Sequence, residues 1–483
     1  MTRLPAQIVL TWALPFINRY VTPGQPTPDA DHESRVFAEL GKKLKRYAPP
    51  NNEIINFLDA AEKMEVPVHR VAGNTWCYGT GEHHRLLDST VTDATSEIGC
   101  RISRNKVRTA DILRLGGLPA PRHILVSSAD DAVTAANRLG YPVVVKPIDM
   151  SQGDGVYANL KDEKSVRLSF IEASAVSTKL IVEKHFHGKD YRLTVLNGKV
   201  YKIEGRIAAG VTGDGVSTVA QLITQLQATP HFKKIYREKG RHVLTLDGEA
   251  LGLLAEEGLK GDSVLAKGRY VQLRRKNNIS VGARQIMIPP ESVPPENLAL
   301  AVRSAELLGL DFAGVDLIIP DIATPWTQSG ALICEINASP QIGRATTPTI
   351  HQEMLRSIIG NEARIPLHLL VVGEACDSVN RDAFTLANEL GCNAVSTADG
   401  VWIDGGRLVG QPSGGFASAR ILLRERRARS ALCVMSAAEL AEKGLPIDRF
   451  DTIRSLPGVA WPDGLADAVR PNTTRLETAS ADA

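Results

Sequence analysis

Residues 141–156, YPVVVKPIDMSQGDGV, are the stretch from which the fold of this chain can be worked out. Tyr141 to Val145 is a short apolar run, rich in β-branched residues and bounded by Gly140 and Pro147, which predicts a buried strand. The strand ends in Lys146, and a glycine-containing loop follows before a second strand begins. Glycines let backbone N–H groups approach an anion, and the lysine adds positive charge. A hairpin that covers the phosphates of a nucleotide is one interpretation of this stretch.

An ordinary turn after a strand with a solvated lysine is the other interpretation, and this stretch alone does not decide between the two. Its spacing matches neither GxxxxGK[ST] nor a GxGxxG that opens a helix. This argues against the nucleotide-binding folds built on those motifs.

Acidic residues later in the chain favour the nucleotide hypothesis. The segment LIVEKHFHGKDYRLTV is predicted as a strand that carries both Glu183 and Asp190. Asp316 lies on the predicted strand DFAGVDLIIP, and Glu335 and Asn337 share one face of the next strand because strand side chains alternate. Two carboxylates and an amide oxygen are hard ligands of the kind Mg²⁺ uses. A strand edge with outward polar residues is the alternative for this last set.

Composition excludes several classes of protein. The 483 residues, 43% hydrophobic and 23% charged, fit two to four ordinary globular domains. Net charge is only +2, and the densest basic run, RERRARS at 424–430, is predicted as a solvated helix face, so no nucleic-acid partner is expected. The six cysteines show no CxxC spacing, which favours a reducing cytoplasm over disulfides or a zinc site.

No membrane attachment is expected either. The chain has no run of about eighteen uncharged apolar residues. The apolar N-terminal segment is interrupted by Pro15, Asn18 and Arg19 and is followed by no small-x-small cleavage site, which argues against a signal peptide.

Changes in pattern divide the chain into segments. Residues 1–100 are predicted as a mixed α/β domain, 101–360 as the central domain with a charged helical insertion at about 222–262, 365–470 as a small parallel α/β domain, and 471–483 as a disordered tail. Residues 101–118 are predicted as one helix with Lys106 in its first half.

The order of these motifs, a lysine, a glycine-rich loop, E-x6-[ED] and then D…E-x-N, resembles the ATP-grasp ligases. Residues 78–345 look like the ATP-grasp half of cyanophycin synthetase. The matching segments are YGTGEHHR, DATSEIG, RNKVRTADIL, GLPAPRHILV, VVVKP, VEKHFHGKDYRLTV, GRIAAGVTGDGVSTVAQLI, LRRKNNISVGA, LGLDFAGVDLII and CEINASPQIG. The resemblance implies an α/β chain with an α+β ATP-grasp fold, flanked by the N-terminal mixed α/β domain and the small C-terminal α/β domain.

The resemblance also implies roles for individual residues, with ATP and Mg²⁺ bound in one site. Nucleotide binding falls to Lys106, Lys146, Ser151, Gly153, Gly155, Glu183, His185, Phe186 and Asp190. In that set the two lysines would hold the phosphates under the Ser151–Gly155 loop, Glu183, His185 and Phe186 would line the adenine slot, and Asp190 would hold the ribose. Magnesium would be held by Asp316, Glu335 and Asn337. The acyl phosphate would be faced by Arg206, Arg274 and Asn278.

Two departures from the family pattern bear on function. The family has STGG where this chain has Ser280-Val281-Gly282-Ala283, in the loop expected to shape the acceptor site. The family's second, Mur-ligase-like half has a phosphate loop where this chain reads VVGEACDSVN, with Asp377 about where the lysine would stand. An acid there would repel phosphate. The C-terminal region is therefore expected to be a truncated, degenerate remnant without a second active site.

These expectations add up to an ATP-dependent carboxylate–amine ligase with a single active site, acting on amino acids or a short peptide. An inactive nucleotide-binding partner of an active synthetase and a glutathione-synthetase-like ligase are the alternatives. The resemblance further implies a homo-oligomer. The identity of the acyl donor and of the amine stays open.

Overall fold

The computed structural model of the chain describes residues 3–21, 30–47, 51–148, 155–275, 282–343, 348–373, 377–410 and 412–477. These residues fall into two compact units, one from Met1–Asp93 together with Gly343–Ala483 and the other from Ala94–Ile342. This division does not test the domain boundaries predicted near residues 100 and 360, which remain predictions.

The N-terminal part of the first unit holds three helices and a small antiparallel sheet. The helices are α1 (Arg3–Val21), α2 (Ala30–Lys45) and α3 (Asn52–Lys63), and the strands β1 (Val68–Ala72), β2 (Thr75–Tyr78), β3 (Arg85–Asp88) and β4 (Val91–Thr92) pair in chain order. Helix α3 starts at Asn51, whose side chain accepts a hydrogen bond from the Glu53 amide, as an N-cap residue does.

The second unit begins with two helices and continues into a four-stranded sheet that packs with two further helices. Its elements are α4 (Glu97–Ser103), α5 (Lys106–Leu115), β5 (Ile124–Val126), α6 (Ala129–Leu139), β6 (Val143–Pro147), β7 (Tyr157–Leu160), α7 (Glu163–Ser174) and β8 (Leu180–Lys184). The strands form an antiparallel sheet in the order β5-β8-β6-β7. Val143 and Val145 pack with α6 and α7, so Val144 and Lys146 face the other way.

The second unit continues into a larger antiparallel sheet. Its elements are β9 (Lys189–Leu196), β10 (Lys199–Ile207), β11 (Gly210–Thr212), α8 (Val219–Gln227), α9 (Pro230–Lys239), α10 (Gly248–Glu256), β12 (Tyr270–Gln272), β13 (Arg284–Ile288), α11 (Pro295–Leu307), β14 (Phe312–Ile319), α12 (Trp326–Ser329) and β15 (Leu332–Asn337). The strand order is β13-β10-β9-β14-β15. One face of this sheet packs on α11, while the small sheet β11-β12 packs with the helices of the predicted insertion.

Two expectations about the local structure of the second unit were wrong. Glu183 and Asp190 lie on different strands, β8 and β9, because the backbone leaves one sheet after Lys184 and enters the other at Lys189. The segment 101–118 contains the end of α4 and all of α5 rather than one helix. Asn105 interrupts it, because its side chain accepts a hydrogen bond from the Arg108 amide and so caps a new helix.

The C-terminal part of the first unit is a helix followed by an α/β sheet. Its elements are α13 (Ile350–Ile359), β16 (Leu367–Val372), α14 (Asp377–Glu389), β17 (Ala394–Thr397), β18 (Gly400–Ile403), β19 (Gly406–Gly410), α15 (Gly415–Leu422), β20 (Ala431–Ser436), α16 (Ala437–Lys443), β21 (Phe450–Ser455), α17 (Leu465–Val469) and β22 (Thr473–Glu477). The strand order is β19-β18-β17-β20-β16-β21-β22, with parallel pairing from β17 to β21 as the alternating pattern predicted. Residues 473–477 of the predicted disordered tail form β22 instead, because they pair parallel with β21.

The basic run 424–430 is not on a helix. Helix α15 ends at Leu422, and turns follow in which the Glu425 carboxylate accepts hydrogen bonds from the backbone and guanidinium of Arg427. Within the described ranges, no helix is both long enough and apolar enough to span a bilayer.

Candidate active site

A cleft of about 620 Å³ lies between the four-stranded and five-stranded sheets of the second unit, and Gln272 of β12 also lines it. The predicted site residues that line it are Lys146, Glu183, His185, Phe186, Asp190 and Arg206. They come from strands β6, β8, β9 and β10 and from the connection between β8 and β9. The fold therefore gathers residues that are far apart in sequence around one opening.

A buried ion pair forms one wall of the cleft. Lys146 Nζ lies 2.7 Å from Glu183 Oε1, and the two residues are 8% and 5% exposed. Burial alone would lower the pKa of Lys146, but the charge and hydrogen bond of Glu183, together with Cys334 and Glu335, outweigh burial and the pKa is raised. Burial would likewise raise the pKa of Glu183, yet Lys146 and then His123 lower it to about 2. Both groups are therefore charged at neutral pH, and the lysine presents a fixed cation to the cleft.

The connection between β8 and β9 supplies a face for a flat ring. His185 and Phe186 both line the cleft, and the His185 amide donates to the Pro142 carbonyl at 3.0 Å, which ties this connection to the start of β6. Burial, with the neighbouring His187, lowers the pKa of His185, so its imidazole is neutral at physiological pH. A neutral ring and a phenyl group suit a heterocyclic base better than an anion.

Lys106 reaches the start of the predicted phosphate loop. It is the first residue of α5, and its Nζ donates to the Ile148 carbonyl at 3.4 Å. At the far end of the loop, Gly155 has a φ of +69°, and a Cβ there would lie 2.9 Å from Cγ of Pro147. Ser151 and Gly153, and also Asn278 of the acyl-phosphate set, lie outside the described residues.

The predicted metal ligands lie on the larger sheet, beside the cleft. Asp316 on β14 is directly opposite Glu335 on β15, and Gly314 is opposite Asn337, so the three polar side chains share one face. On the other side of β14, Arg192 of β9 is opposite Asp316 and approaches its two carboxylate oxygens at 3.2 and 3.3 Å. Arg206 lies 3.6 Å from the same carboxylate.

This donor set fits a hard divalent cation. Among the described residues there is no group of three or more His, Cys, Asp or Glu that could hold a metal. Two carboxylates plus the Asn337 amide oxygen are nonetheless sufficient for Mg²⁺, which usually keeps waters and takes one or two protein carboxylates along with substrate phosphates. The guanidinium groups of Arg192 and Arg206 balance the charge of Asp316.

Arg274 is held away from the cleft. Its guanidinium makes a two-point contact with Asp247, at 3.0 and 2.7 Å, and its Nε donates to the Val243 carbonyl. The neighbouring Arg275, together with Gln272, lines the cleft instead. The predicted contact of Arg274 with an acyl phosphate stays a prediction, with Arg275 the better placed of the two.

Three residues of the site were missed from the sequence. His123, just before β5, lies with Nε2 2.8 Å from Glu183 Oε2. Arg192 follows Asp190 by two residues and so shares its strand face, a period-two signal that could have found it. Cys334 lines the cleft beside Leu332, although simple alternation turns it away from Glu335.

Comparison with known proteins supports this picture of the second unit. The ATP-grasp domain family matches residues 100–189. A cyanophycin synthetase of Geminocystis herdmanii is 28% identical over 421 residues, covering 83% of this chain and 47% of that protein. A cyanophycin synthetase of Trichormus variabilis is 29% identical over 409 residues, covering 82% of this chain and 45% of that protein.

Similarity extends to glutathione biosynthesis proteins over a shorter region. The bifunctional protein of Streptococcus mutans serotype c is 36% identical over 224 residues, covering 45% of this chain and 29% of that protein. The crystal structure of a bifunctional glutathione synthetase from Pasteurella multocida, at 25% identity, aligns with 63% of this chain and 44% of that chain with a TM-score of 0.46.

The chain spans about half the length of the curated cyanophycin synthetases that it matches. The match to the ATP-grasp family falls on the strands that carry Lys146 and Glu183. Residues 100–189 thus match the ATP-grasp domain family, and most of the chain is similar to the cyanophycin synthetases.

Proposed function

We propose that this chain is an ATP-dependent carboxylate–amine ligase that forms an amide bond, through an acyl phosphate, between amino acids or between a short peptide and an amino acid. The observation that carries the proposal is that two charged features lie close together at one cleft. The buried Lys146–Glu183 pair lines the cleft. The Asp316 and Glu335 carboxylates, with Arg192, lie on the larger sheet beside it, and the charge of Glu335 contributes to the raised pKa of Lys146. Homology to cyanophycin synthetases supports the same chemistry.

The reaction follows from the weakness of a carboxylate as an electrophile. An oxygen of the substrate carboxylate attacks the γ-phosphorus of ATP, the bond to ADP breaks, and an acyl phosphate forms. The amine then attacks the acyl carbon, loses a proton, and phosphate leaves with the electron pair of the broken C–O bond. No nucleophilic side chain is required, which agrees with a site built of cations, carboxylates and an amide.

The residues of the cleft supply position and charge for these steps. Lys106 and Lys146 would hold the phosphates, and Arg206 with Arg192 would offset the negative charge that develops on the transferred group. Mg²⁺, held by Asp316, Glu335 and Asn337, would neutralise phosphate charge when bound. His185 and Phe186 would enclose the adenine, and Asp190 would accept hydrogen bonds from the ribose.

The two ligase candidates differ in the amine acceptor, not in the nucleotide site. Similarity to the glutathione biosynthesis proteins favours a glutathione-synthetase-like ligase as the second candidate. An inactive nucleotide-binding partner of another synthetase is the third. We further propose amino-acid or peptide substrates, a homo-oligomer and a cytoplasmic location. We propose no nucleic-acid partner, which the net charge of +2 supports.

Turnover with defined amines and acids tests the proposal. The purified chain is incubated with Mg-ATP and amino acids, singly and in pairs, and then with γ-glutamylcysteine plus glycine. Phosphate release and product mass are measured together. We expect phosphate release only with a particular pair, and its loss in Lys146→Ala and Glu335→Ala.

Each outcome distinguishes between the candidates. A product one water lighter than the sum of two amino acids, formed with one phosphate, supports the amino-acid ligase. Product only from γ-glutamylcysteine and glycine supports the glutathione-like alternative. Nucleotide binding without phosphate release from any amino acid or dipeptide would contradict a ligase of these substrates and favour the inactive partner.

A further inference from the structure

His123 lies in the row of side chains that faces the nucleotide cleft. Strands β5 and β8 pair antiparallel with Ile124 opposite Val182 and Val126 opposite Leu180. One step further along the same register brings His123 opposite Glu183. Residues directly opposite each other in a sheet share a face, so the imidazole and the carboxylate lie on the same side of the sheet.

The same register places Glu183 between two partners. On its other side, Val144 of β6 is opposite Glu183, and Lys146 is the diagonal neighbour two residues further on. Glu183 Oε1 is 2.7 Å from Lys146 Nζ, and Oε2 is 2.8 Å from His123 Nε2. The side chains of these three residues are 10% exposed or less, and that of His123 only 1%. Each carboxylate oxygen thus has its own neighbour.

The contact to His123 is close but not aligned as a linear hydrogen bond. Oε2 of Glu183 and both ring nitrogens of His123 are buried and make no well-aligned hydrogen bond with the described residues. Contacts in a ligand-free site are often poorly aligned and tighten when substrate binds. Lys146 and Glu183 line the cleft and His123 does not. His123 is therefore placed to orient Glu183 rather than to touch a substrate.

We propose that His123 is a positioning residue for nucleotide binding, acting through Glu183 to fix the ammonium group of Lys146. This inference rests on the proposed function. The N–H of the imidazole holds Oε2 of Glu183, the carboxylate is thereby fixed in one orientation, and Oε1 then holds one proton of Lys146. The remaining N–H groups of Lys146 are left directed at the anionic nucleotide.

Loss of the imidazole has a defined consequence. With an apolar residue at 123, Oε2 remains a buried acceptor and loses the imidazole 2.8 Å away, a state that a carboxylate avoids by rotating or taking up a proton. In either case Lys146 loses its fixed partner. Groups that orient a binding residue from behind typically change affinity by about 10- to 100-fold. A glutamine at 123 keeps an N–H donor and should retain most of the affinity.

Nucleotide affinity of the full-length chain tests the inference. The dissociation constant of the non-hydrolysable ATP analogue AMP-PNP, with Mg²⁺, is measured by calorimetry for the unaltered chain, His123→Leu and His123→Gln. We expect His123→Leu to bind on the order of 10-fold more weakly and His123→Gln to stay within about threefold of the unaltered chain. The matched control is Arg122→Gln, which removes a charge from the neighbouring exposed side chain and should bind as the unaltered chain does.

Thermal unfolding without nucleotide separates positioning from support of the fold. Retained midpoints in both His123 variants, together with rescue by glutamine, support a positioning role. Equal weakening in both variants with an equal fall in midpoint would overturn it, as would unchanged affinity in His123→Leu. No binding by the unaltered chain would overturn the proposed function and this inference with it, whereas normal binding in His123→Leu would overturn only the inference.

Discussion

At the scale of single residues, the Lys146–Glu183 pair should decide how stable the cleft wall is. Lys146→Met removes one member of a buried pair and leaves the other charge without compensation, which costs about 3–5 kcal/mol in comparable cases. We expect its free energy of unfolding, measured in urea, to fall by on the order of 3 kcal/mol. Adding Glu183→Gln should restore part of the loss, and a double variant less stable than Lys146→Met would contradict this account.

The dependence of the unfolding free energy on pH gives a second test of the role of Glu183. Its pKa is lowered from the ordinary value of 4.5 to about 2 because Lys146 and His123 outweigh the effect of burial. The folded state therefore holds this proton less readily than the unfolded state, so its contribution to stability is present above about pH 4.5 and lost as pH falls towards about 2. We expect the difference in unfolding free energy between the unaltered chain and Glu183→Gln to shrink across that window. A difference independent of pH between 6 and 3 would be the contrary result.

At the scale of elements, the β6–β7 hairpin depends on the glycine that closes it. Gly155 has a φ of +69° and a Cβ there would lie 2.9 Å from the Pro147 ring, whereas Gly117 has a φ of +73° and open space around it. Gly117→Ala should cost about 1 kcal/mol, the strain of a left-handed alanine. Gly155→Ala should cost more, about 2 kcal/mol or above, because the ring must also shift. Urea unfolding of both variants checks this, and equal costs would show that the contact with Pro147 is unimportant.

The charged face of the larger sheet depends on Gly314, where the missing side chain leaves room for the guanidinium of Arg192. A Cβ at Gly314 would lie 2.7 Å from Nη2 and 2.9 Å from Nε of Arg192, in the space that the guanidinium needs to reach Asp316. We expect Gly314→Ala to slow phosphate release on the order of 10-fold, because small misplacements of a group at the reacting centre have large effects on rate. Stability should change by less than about 1 kcal/mol, since the end of a flexible side chain can move.

Arg192→Lys is the companion variant, because it shortens the reach of the cation without adding a methyl group to β14. Similar slowing in both variants would assign the effect to the guanidinium. Slowing in Gly314→Ala alone would assign it to the strand instead.

The elements were largely predictable because most strands and helices carry an uninterrupted hydrophobic period. The stretch 141–156 gave β6 correctly, and alternation placed Glu335 and Asn337 on one face. Cys334 could not be predicted to line the cleft, because the register of β14 and β15 shifts beside it. Asp316 is opposite Glu335 and Leu317 is opposite Ile333, so Cys334 has no residue opposite it on β14. Such a bulge turns two successive side chains to the same face, and period-two reasoning from one strand cannot detect it.

The other site residues could not be placed from sequence because their positions depend on contacts with distant parts of the chain. His123 acquires its position from β8, sixty residues later, and nothing in RHILV distinguishes it from a solvated histidine. Arg274 and Arg275 are adjacent, and only the packing shows that Asp247 holds Arg274 while Arg275 lines the cleft. Sequence patterns define the elements, whereas the neighbours of a charged residue depend on which strands meet.

At the scale of the whole molecule, the number of nucleotides bound per chain separates one active site from two. The nucleotide cleft lies in the second unit, and the parallel sheet of the first unit carries VVGEACDSVN, partly outside the described residues, where a phosphate loop is expected by family resemblance. An acid in such a loop repels phosphate. We expect calorimetry with Mg²⁺ and AMP-PNP to give one site per chain, and Lys146→Ala to weaken that site. A second equivalent that survives Lys146→Ala would show that the C-terminal sheet still binds nucleotide, and the enzyme would then have the two sites that alternating addition of two different residues requires.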